Sequence, residues 1–126
     1  MRIFVTKAFR RFRRKELIKE AALCEAIARA ELGLVDADLG AGLIKRRVAR
    51  KGQGRSSGYR TLIAYRTATR SVFIFGFAKN SQANISAADE RDLADYGAPL
   101  LSLDDDGIEA MITADELKEI ACHDED

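Results

Sequence analysis

The sequence is poor in the residues on which several common enzyme classes depend. Its single histidine, His123, lies in the acidic end of the chain, so neither a Ser-His-Asp triad nor a Cys-His pair is expected. It has neither a Walker loop nor a GxGxxG pattern followed by a helix, which disfavours nucleotide-binding enzymes of those types. Most carboxylates also cluster towards the C-terminus. We therefore predict no metal site and no cofactor.

Cysteines and long apolar runs are also scarce. The two cysteines, Cys24 and Cys122, are far apart in the chain, which predicts neither a disulfide nor a zinc site and favours a reducing compartment. We expect Cys24 to be a small core residue. No apolar run approaches the roughly 18 residues that a membrane helix needs, and basic residues interrupt the N-terminus where a signal peptide would be apolar. The prediction is a cytoplasmic domain without a membrane partner.

Charge is distributed very unevenly along the chain. The net charge is only +1, but residues 1–80 carry 19 of the 21 Lys and Arg, whereas residues 81–126 carry 14 of the 20 Asp and Glu. A basic body favours a polyanionic partner, the alternative being two charged faces that only contact solvent. With 126 residues, 47% of them hydrophobic, the chain fits one domain with a buried core.

Hydrophobic periodicity predicts an α+β domain in the order β-α-α-β-β-β-α. A helical hairpin near the N-terminus packs on an antiparallel sheet, and the core spans about residues 1–90. The acidic, helical extension spans about residues 91–126, in which residues 100–111 are expected to be partly helical. The predicted elements are strands over 1–6, 43–49, 59–66 and 71–77, helices over 7–15, 16–32, 86–96 and 114–121, and a loop over 34–42. Gly97 and Pro99 are predicted to end the third helix, and Thr113 with Glu116 to open the last.

The predicted sheet is rich in cations. Strand alternation places Lys45 and Arg47 on one face, and Arg60 and Arg66 together on one face of the next strand. Arginine binds two phosphate oxygens with its planar fork. Tyr59 and Tyr65 are expected either to stack on an unpaired base or to lie in the core. This composition is typical of a surface for single-stranded RNA.

Two stretches of the chain resemble a known superfamily. KGQGRSSGYRTLIAYR at residues 51–66, with FAKNxxxNI at residues 77–85, resembles the RelE/ParE superfamily of type II toxin–antitoxin toxins, in particular its HigB/RelE-type branch. The resemblance implies a RelE-like fold and a toxin that inhibits translation by cutting messenger RNA in the ribosomal decoding site. It also implies cleavage without a metal, by attack of the ribose 2′-hydroxyl on the adjacent phosphate. A cognate antitoxin, often with a helix-turn-helix domain, is the implied protein partner, beside the ribosome and mRNA.

Only some of the family's catalytic residues have a counterpart in this sequence. Arg60 matches a family arginine that stabilises the transition-state phosphate, and Lys51 matches a lysine that helps to activate the 2′-hydroxyl. A neighbouring family lysine falls on Gln53, and a later arginine and tyrosine fall on Asn80 and Ser86. Our hypothesis is that Lys51 or Lys79 activates the 2′-hydroxyl while Arg55 and Arg60 hold the phosphate. The expected RNA contacts are Lys45, Arg47, Arg50, Tyr59, Arg66 and Asn80.

Two other functions remain open at this stage. ParE-type members of the superfamily bind DNA gyrase, and a fold alone does not distinguish them from nucleases. A gyrase inhibitor would have no need for the phosphate-binding set Lys51, Arg55, Arg60 and Lys79. The second alternative is a non-catalytic module that binds RNA or the ribosome.

Overall fold

Strands and helices occur in separate runs along the chain, as is typical of an α+β fold, which confirms the predicted class. The computed structural model describes residues 1–48, 58–66, 68–78 and 85–122. Within these ranges the elements are β1 (Arg2–Thr6), α1 (Lys7–Glu16), α2 (Glu20–Glu31), β2 (Ala37–Asp38), β3 (Leu43–Val48), β4 (Tyr59–Arg66), β5 (Arg70–Ala78), α3 (Ala87–Ser102), α4 (Asp105–Thr113) and β6 (Leu117–Ile120).

The six strands found in the described ranges form one sheet in the order β2-β3-β4-β5-β1-β6. The predicted antiparallel meander of β3, β4 and β5 is confirmed. The sheet as a whole is mixed rather than antiparallel, because β1 pairs in parallel with β5 and antiparallel with β6. Parallel pairing needs a connection that crosses back over the sheet, and the hairpin of α1 and α2 supplies it after β1.

Both faces of the sheet are covered, so the domain has three layers. Alternate residues of each strand belong to opposite faces, and the buried residues accordingly form two clusters. The hairpin of α1 and α2 covers the first face, where the buried side chains include Val5, Phe9, Ile27, Ile63 and Phe73. Helices α3 and α4 cover the second, where they include Phe4, Leu62, Val72, Leu100 and Ile108.

Helix α3 is longer than the sequence analysis predicted. It continues through Gly97 and Pro99 to Ser102, so the expectation that these residues end it was wrong. Proline inside a helix removes a backbone hydrogen bond, but burial of Leu100 and Leu101 beyond it favours continuation. A Cβ atom at Gly97 would lie 3.1 Å from the Cβ of Ala64. Gly97 therefore lets the helix approach β4 closely.

The last predicted helix is a strand. Asp115 has φ 62°, a left-handed conformation that ends the helical path after α4, and β6 then pairs with the outer edge of β1. Leu117 and Ile120 are buried in the two opposite core clusters. Thr113 and Glu116 therefore do not form a capping box. The strand is favoured because it satisfies backbone groups of β1 that would otherwise lie on an open sheet edge.

The two cysteines form a disulfide, which contradicts the sequence analysis. Cys24 on α2 and Cys122 after β6 are bonded, with their Cα atoms 5.7 Å apart. Their separation in the sequence gave no sign of this, because the pairing depends on how α2 and the C-terminal strand meet across the fold. The same finding removes the support that the cysteine pattern lent to a reducing compartment.

Two ion pairs hold the C-terminal strand region against the N-terminal half and predict acid sensitivity. Hydrogen bonds from Arg2 lower the pKa of Glu119, and hydrogen bonds from Arg10 lower the pKa of Asp115. A carboxylate with a lowered pKa in the folded state contributes stability at neutral pH that is lost as the pH falls below its unfolded-state value, 4.5 for Glu119. Urea unfolding at pH 6 and pH 3 should show lower stability at pH 3. The variant Arg2→Gln should narrow that difference, and an unchanged difference would contradict the assignment.

Leu17 at the end of α1 predicts a stabilising substitution. It is 84% exposed and adopts φ 57° as the C-cap, a conformation that costs a residue with a Cβ but not glycine. We expect Leu17→Gly to raise the free energy of unfolding by about 0.5–1 kcal/mol. Leu32, which caps α2 with φ −88°, is the matched control. Leu32→Gly should be neutral or destabilising, and equal effects of the two variants in urea unfolding would refute the argument.

Candidate RNA-binding and active site

The cations of β3 and β4 meet on one face of the sheet. Arg47 and Arg60 are paired across the two strands, and Lys45 pairs with Leu62 in the same register. Because Leu62 belongs to the cluster under α3, strand alternation places all three cations on that face. We call Lys45, Arg47 and Arg60 the basic strand face. The sequence analysis placed each of these residues on a strand face, and the register adds that the two arginines lie side by side.

Arg60 has a buried side-chain nitrogen that is available to bind a ligand. Its Nη1 atom is buried and has no hydrogen-bond partner within the described residues, and burying an unpaired polar group is unfavourable. In those same ranges no carboxylate forms an ion pair with Arg60, while Arg47 lies directly opposite. An anion that accepts a hydrogen bond from this nitrogen of Arg60 would remove that cost.

An aromatic side chain borders the arginine pair. Phe77 is the neighbour of Arg60 on β5, and its ring centroid lies 6.0 Å from that of Phe75. Phe77 is buried and Phe75 half-buried. A cleft of about 270 Å³ begins at Phe75 and extends to Asp89 and Asp92 on the first turns of α3. Arg60 therefore lies between a second arginine and an aromatic wall.

Asp36 lies beside the basic strand face, and its carboxylate contacts two arginines of β3. One oxygen of its carboxylate accepts a hydrogen bond from the backbone N–H of Arg47 at 2.5 Å, and from Nη1 of Arg46 at 3.4 Å. Its other oxygen lies 3.7 Å from Nε of Arg47. These residues line a cleft of about 210 Å³ with Arg29 of α2. Sequence reasoning missed this role, because Asp36 lies in a stretch whose composition indicates only a loop.

Other predicted contacts lie elsewhere. Tyr59 is only 5% exposed in the core on the hairpin face, where its hydroxyl donates to the backbone oxygen of Glu16. Tyr65 lies on that same face, and its hydroxyl donates to Glu31. Arg66 is exposed at the opposite end of β4, about 20 Å along the strand from Arg60. Neither the two rings nor Arg66 can contact a phosphate held by Arg60.

The remaining predicted site residues lie outside the described residues. They are Arg50, Lys51, Arg55, Lys79 and Asn80. The chain enters or leaves both of these segments at one end of the sheet, because Tyr59 pairs with Val48 on one side and with Ala78 on the other. Arg47, Arg60 and Phe77 each lie one residue from that end.

Three acidic side chains of the C-terminal part form ion pairs with arginines of the N-terminal part. Asp115 pairs with Arg10, and both Glu109 and Glu119 pair with Arg2. Arg70 is buried and donates to the backbone oxygens of Leu100 and Leu103, each at 2.8 Å. These cations stabilise the fold, and no sequence signal distinguishes them from cations that face a ligand.

Comparison with known proteins identifies the family. The family model described as the RelE toxin of the RelE/RelB toxin–antitoxin system matches residues 1–120, further than the residues 1–90 over which the motifs suggested a resemblance. No curated protein matches the chain. Of the helices in the described ranges, none is long and apolar enough to cross a membrane. The branch within the superfamily stays a prediction. Because the match spans nearly the whole chain, the protein belongs to the RelE toxin family and is a toxin of a toxin–antitoxin system.

Proposed function

We propose that this toxin is an endoribonuclease that cleaves messenger RNA on the ribosome and thereby stops translation. The observation that supports this function most directly is the pair of Arg47 and Arg60 on adjacent strands, with a buried nitrogen of Arg60 left without a partner among the described residues. Toxins of the RelE family are generally endoribonucleases, which favours a phosphodiester as the anion that this pair binds.

In the proposed reaction, the ribose 2′-oxygen attacks the adjacent phosphorus while the bond from phosphorus to the 5′-oxygen of the next nucleotide breaks. The products are a 2′,3′-cyclic phosphate and a free 5′-hydroxyl. A general base removes the proton of the 2′-hydroxyl, and a general acid gives a proton to the leaving oxygen. The pentavalent intermediate carries extra negative charge, so fixed cations stabilise it more than they stabilise the substrate.

We assign different roles in this reaction to the basic residues. Arg60, fixed in the middle layer of the fold, stabilises the charge on the phosphorane, and Arg55 assists it. Lys51 or Lys79 activates the 2′-hydroxyl. The remaining contacts to the RNA backbone are Lys45, Arg47, Arg50 and Asn80. Asp36 orients Arg46 and Arg47 and is a positioning residue.

Membership of a toxin–antitoxin family implies a cognate antitoxin. We expect a helix-turn-helix protein with an acidic segment that covers the basic strand face, because a blocked Arg60 cannot reach a phosphate. The ribosome and its mRNA are the proposed targets, and they place the activity in the cytoplasm.

Expression of the chain in cells, followed by mapping of mRNA 5′ ends, tests this function. We expect growth arrest with new 5′ ends inside translated reading frames, and we expect both to disappear in Arg60→Ala. Arrest with intact mRNA and a DNA-damage response would indicate gyrase inhibition instead. Arrest without cleavage or DNA damage would indicate a binding module that blocks the ribosome.

A further inference from the structure

The disulfide joins two segments that lie far apart in the sequence. Cys24 lies on α2, is half-buried and packs against the core cluster on the hairpin face. Cys122 is exposed and follows β6 by two residues. Ile120, at the end of β6, belongs to the same core cluster. The bond therefore ties the outermost strand of one sheet edge to the helical hairpin.

Without this bond β6 would be held by modest interactions. It has four residues, and β1 is its neighbour in the sheet. Its two buried side chains are Leu117 and Ile120, and the ion pairs of Arg2 and Arg10 hold partly exposed carboxylates. Exposed ion pairs contribute little, and a short strand at a sheet edge opens at a low free-energy cost. A covalent bond just beyond the strand raises the free energy that is needed to open β6.

The two cysteines differ in exposure, since Cys24 is half-buried and Cys122 is exposed, and this difference favours one sulfur as the point of attack. An external thiolate reaches the exposed Cys122 more easily than the half-buried Cys24, and exchange proceeds by attack of a thiolate on one sulfur of the disulfide. Attack at Cys122 forms a mixed disulfide there and releases Cys24 as a thiolate. A second external thiolate then releases Cys122 and forms the external disulfide. Oxidation runs through the same steps in reverse.

We propose that Cys24 and Cys122 form a thiol–disulfide exchange site for low-molecular-weight thiols and disulfides of the glutathione class. The oxidised state locks β6 onto β1, and the reduced state lets β6 open. Neither cysteine belongs to the basic strand face, so the site acts on the C-terminal part of the fold. This inference is independent of the proposed nuclease activity.

Hydrogen exchange of the full-length chain tests the proposal. The purified protein is equilibrated with oxidised or with reduced glutathione, and its free thiols are counted by alkylation and mass. We expect no free thiol in the first sample and two in the second. Amides of residues 117–120 should exchange at least about tenfold faster after reduction. Amides of β4 should exchange at equal rates in both samples, because β4 lies inside the sheet.

Two serine variants complete the test. Cys122→Ser, at an exposed position, should show fast exchange in β6 in both buffers, and Cys24→Ser should behave in the same way. Two free thiols after treatment with oxidised glutathione, or glutathione attached to Cys122 without the internal bond, would overturn the proposal. Equal exchange of residues 117–120 in the oxidised and reduced protein would overturn it as well.

Discussion

Replacing Arg60 with alanine is expected to lower the rate of mRNA cleavage on ribosomes by about two to three orders of magnitude. The side chain lies opposite Arg47 and beside Phe77, where the proposed phosphorane would carry its extra charge. Removal of one fixed donor to such a charge acts on the transition state, so kcat should fall much more than KM rises. Single-turnover cleavage of a ribosome-bound message measures this effect.

The same variant should fold at least as well as the wild type. Nη1 of Arg60 is buried without a partner among the described residues, so alanine removes an unfavourable term. We expect the free energy of unfolding in urea to be unchanged or higher by about 1 kcal/mol. The matched variant is Arg66→Ala, at the exposed far end of the same strand, which should change the cleavage rate less than about threefold. Loss of activity through unfolding of Arg60→Ala, or equal losses in both variants, would contradict the site.

The largest expected effect on stability belongs to Phe9. Its side chain is 0% exposed, and its ring centroid lies 5.0 Å from that of Phe73 and 5.9 Å from that of Phe12. We expect Phe9→Ala to lower the free energy of unfolding by about 3–5 kcal/mol, because it removes apolar contacts between α1 and the sheet and leaves a cavity. Urea unfolding monitored by circular dichroism measures the change.

A leucine at the surface provides the control for that substitution. Leu34 follows α2 and is 51% exposed, so Leu34→Ala should change stability by less than about 0.5 kcal/mol. A loss below about 1.5 kcal/mol for Phe9→Ala would mean that the two helices contribute less to the core than their burial indicates. The loss of stability in Phe9→Ala should also lower the Tm of the protein.

Local patterns predicted the elements around the site, whereas contacts between distant segments were not predictable. The alternation in β4 placed Arg60 and Tyr59 on opposite faces, as the structure shows. That Arg60 lies opposite Arg47 depends on the register of β3 and β4, and the segment between them is too long for its sequence to fix that register. The pairing of Cys24 with Cys122 is non-local for the same reason.

The C-terminal errors have a common physical cause. Local signals at Thr113 and Pro99 describe what an isolated segment prefers, and here tertiary contacts decided the outcome. Pairing with the free edge of β1 favoured a strand over Leu117–Ile120. Burial of Leu100 and Leu101 favoured the continuation of α3 beyond Pro99. Asp36 is a third case, because its contacts with Arg46 and Arg47 exist only once β3 is in place.

Cleavage of a message that carries one 2′-deoxynucleotide tests the central claim most directly. The purified toxin is added to ribosomes programmed with either an all-ribose message or the same message with a single 2′-deoxynucleotide at the mapped cleavage site. The proposed mechanism predicts that the first is cut, leaving a 2′,3′-cyclic phosphate, and that the second stays intact at that position. Equal cleavage of both messages would rule out attack by the 2′-hydroxyl, and cleavage of neither would contradict the nuclease function itself.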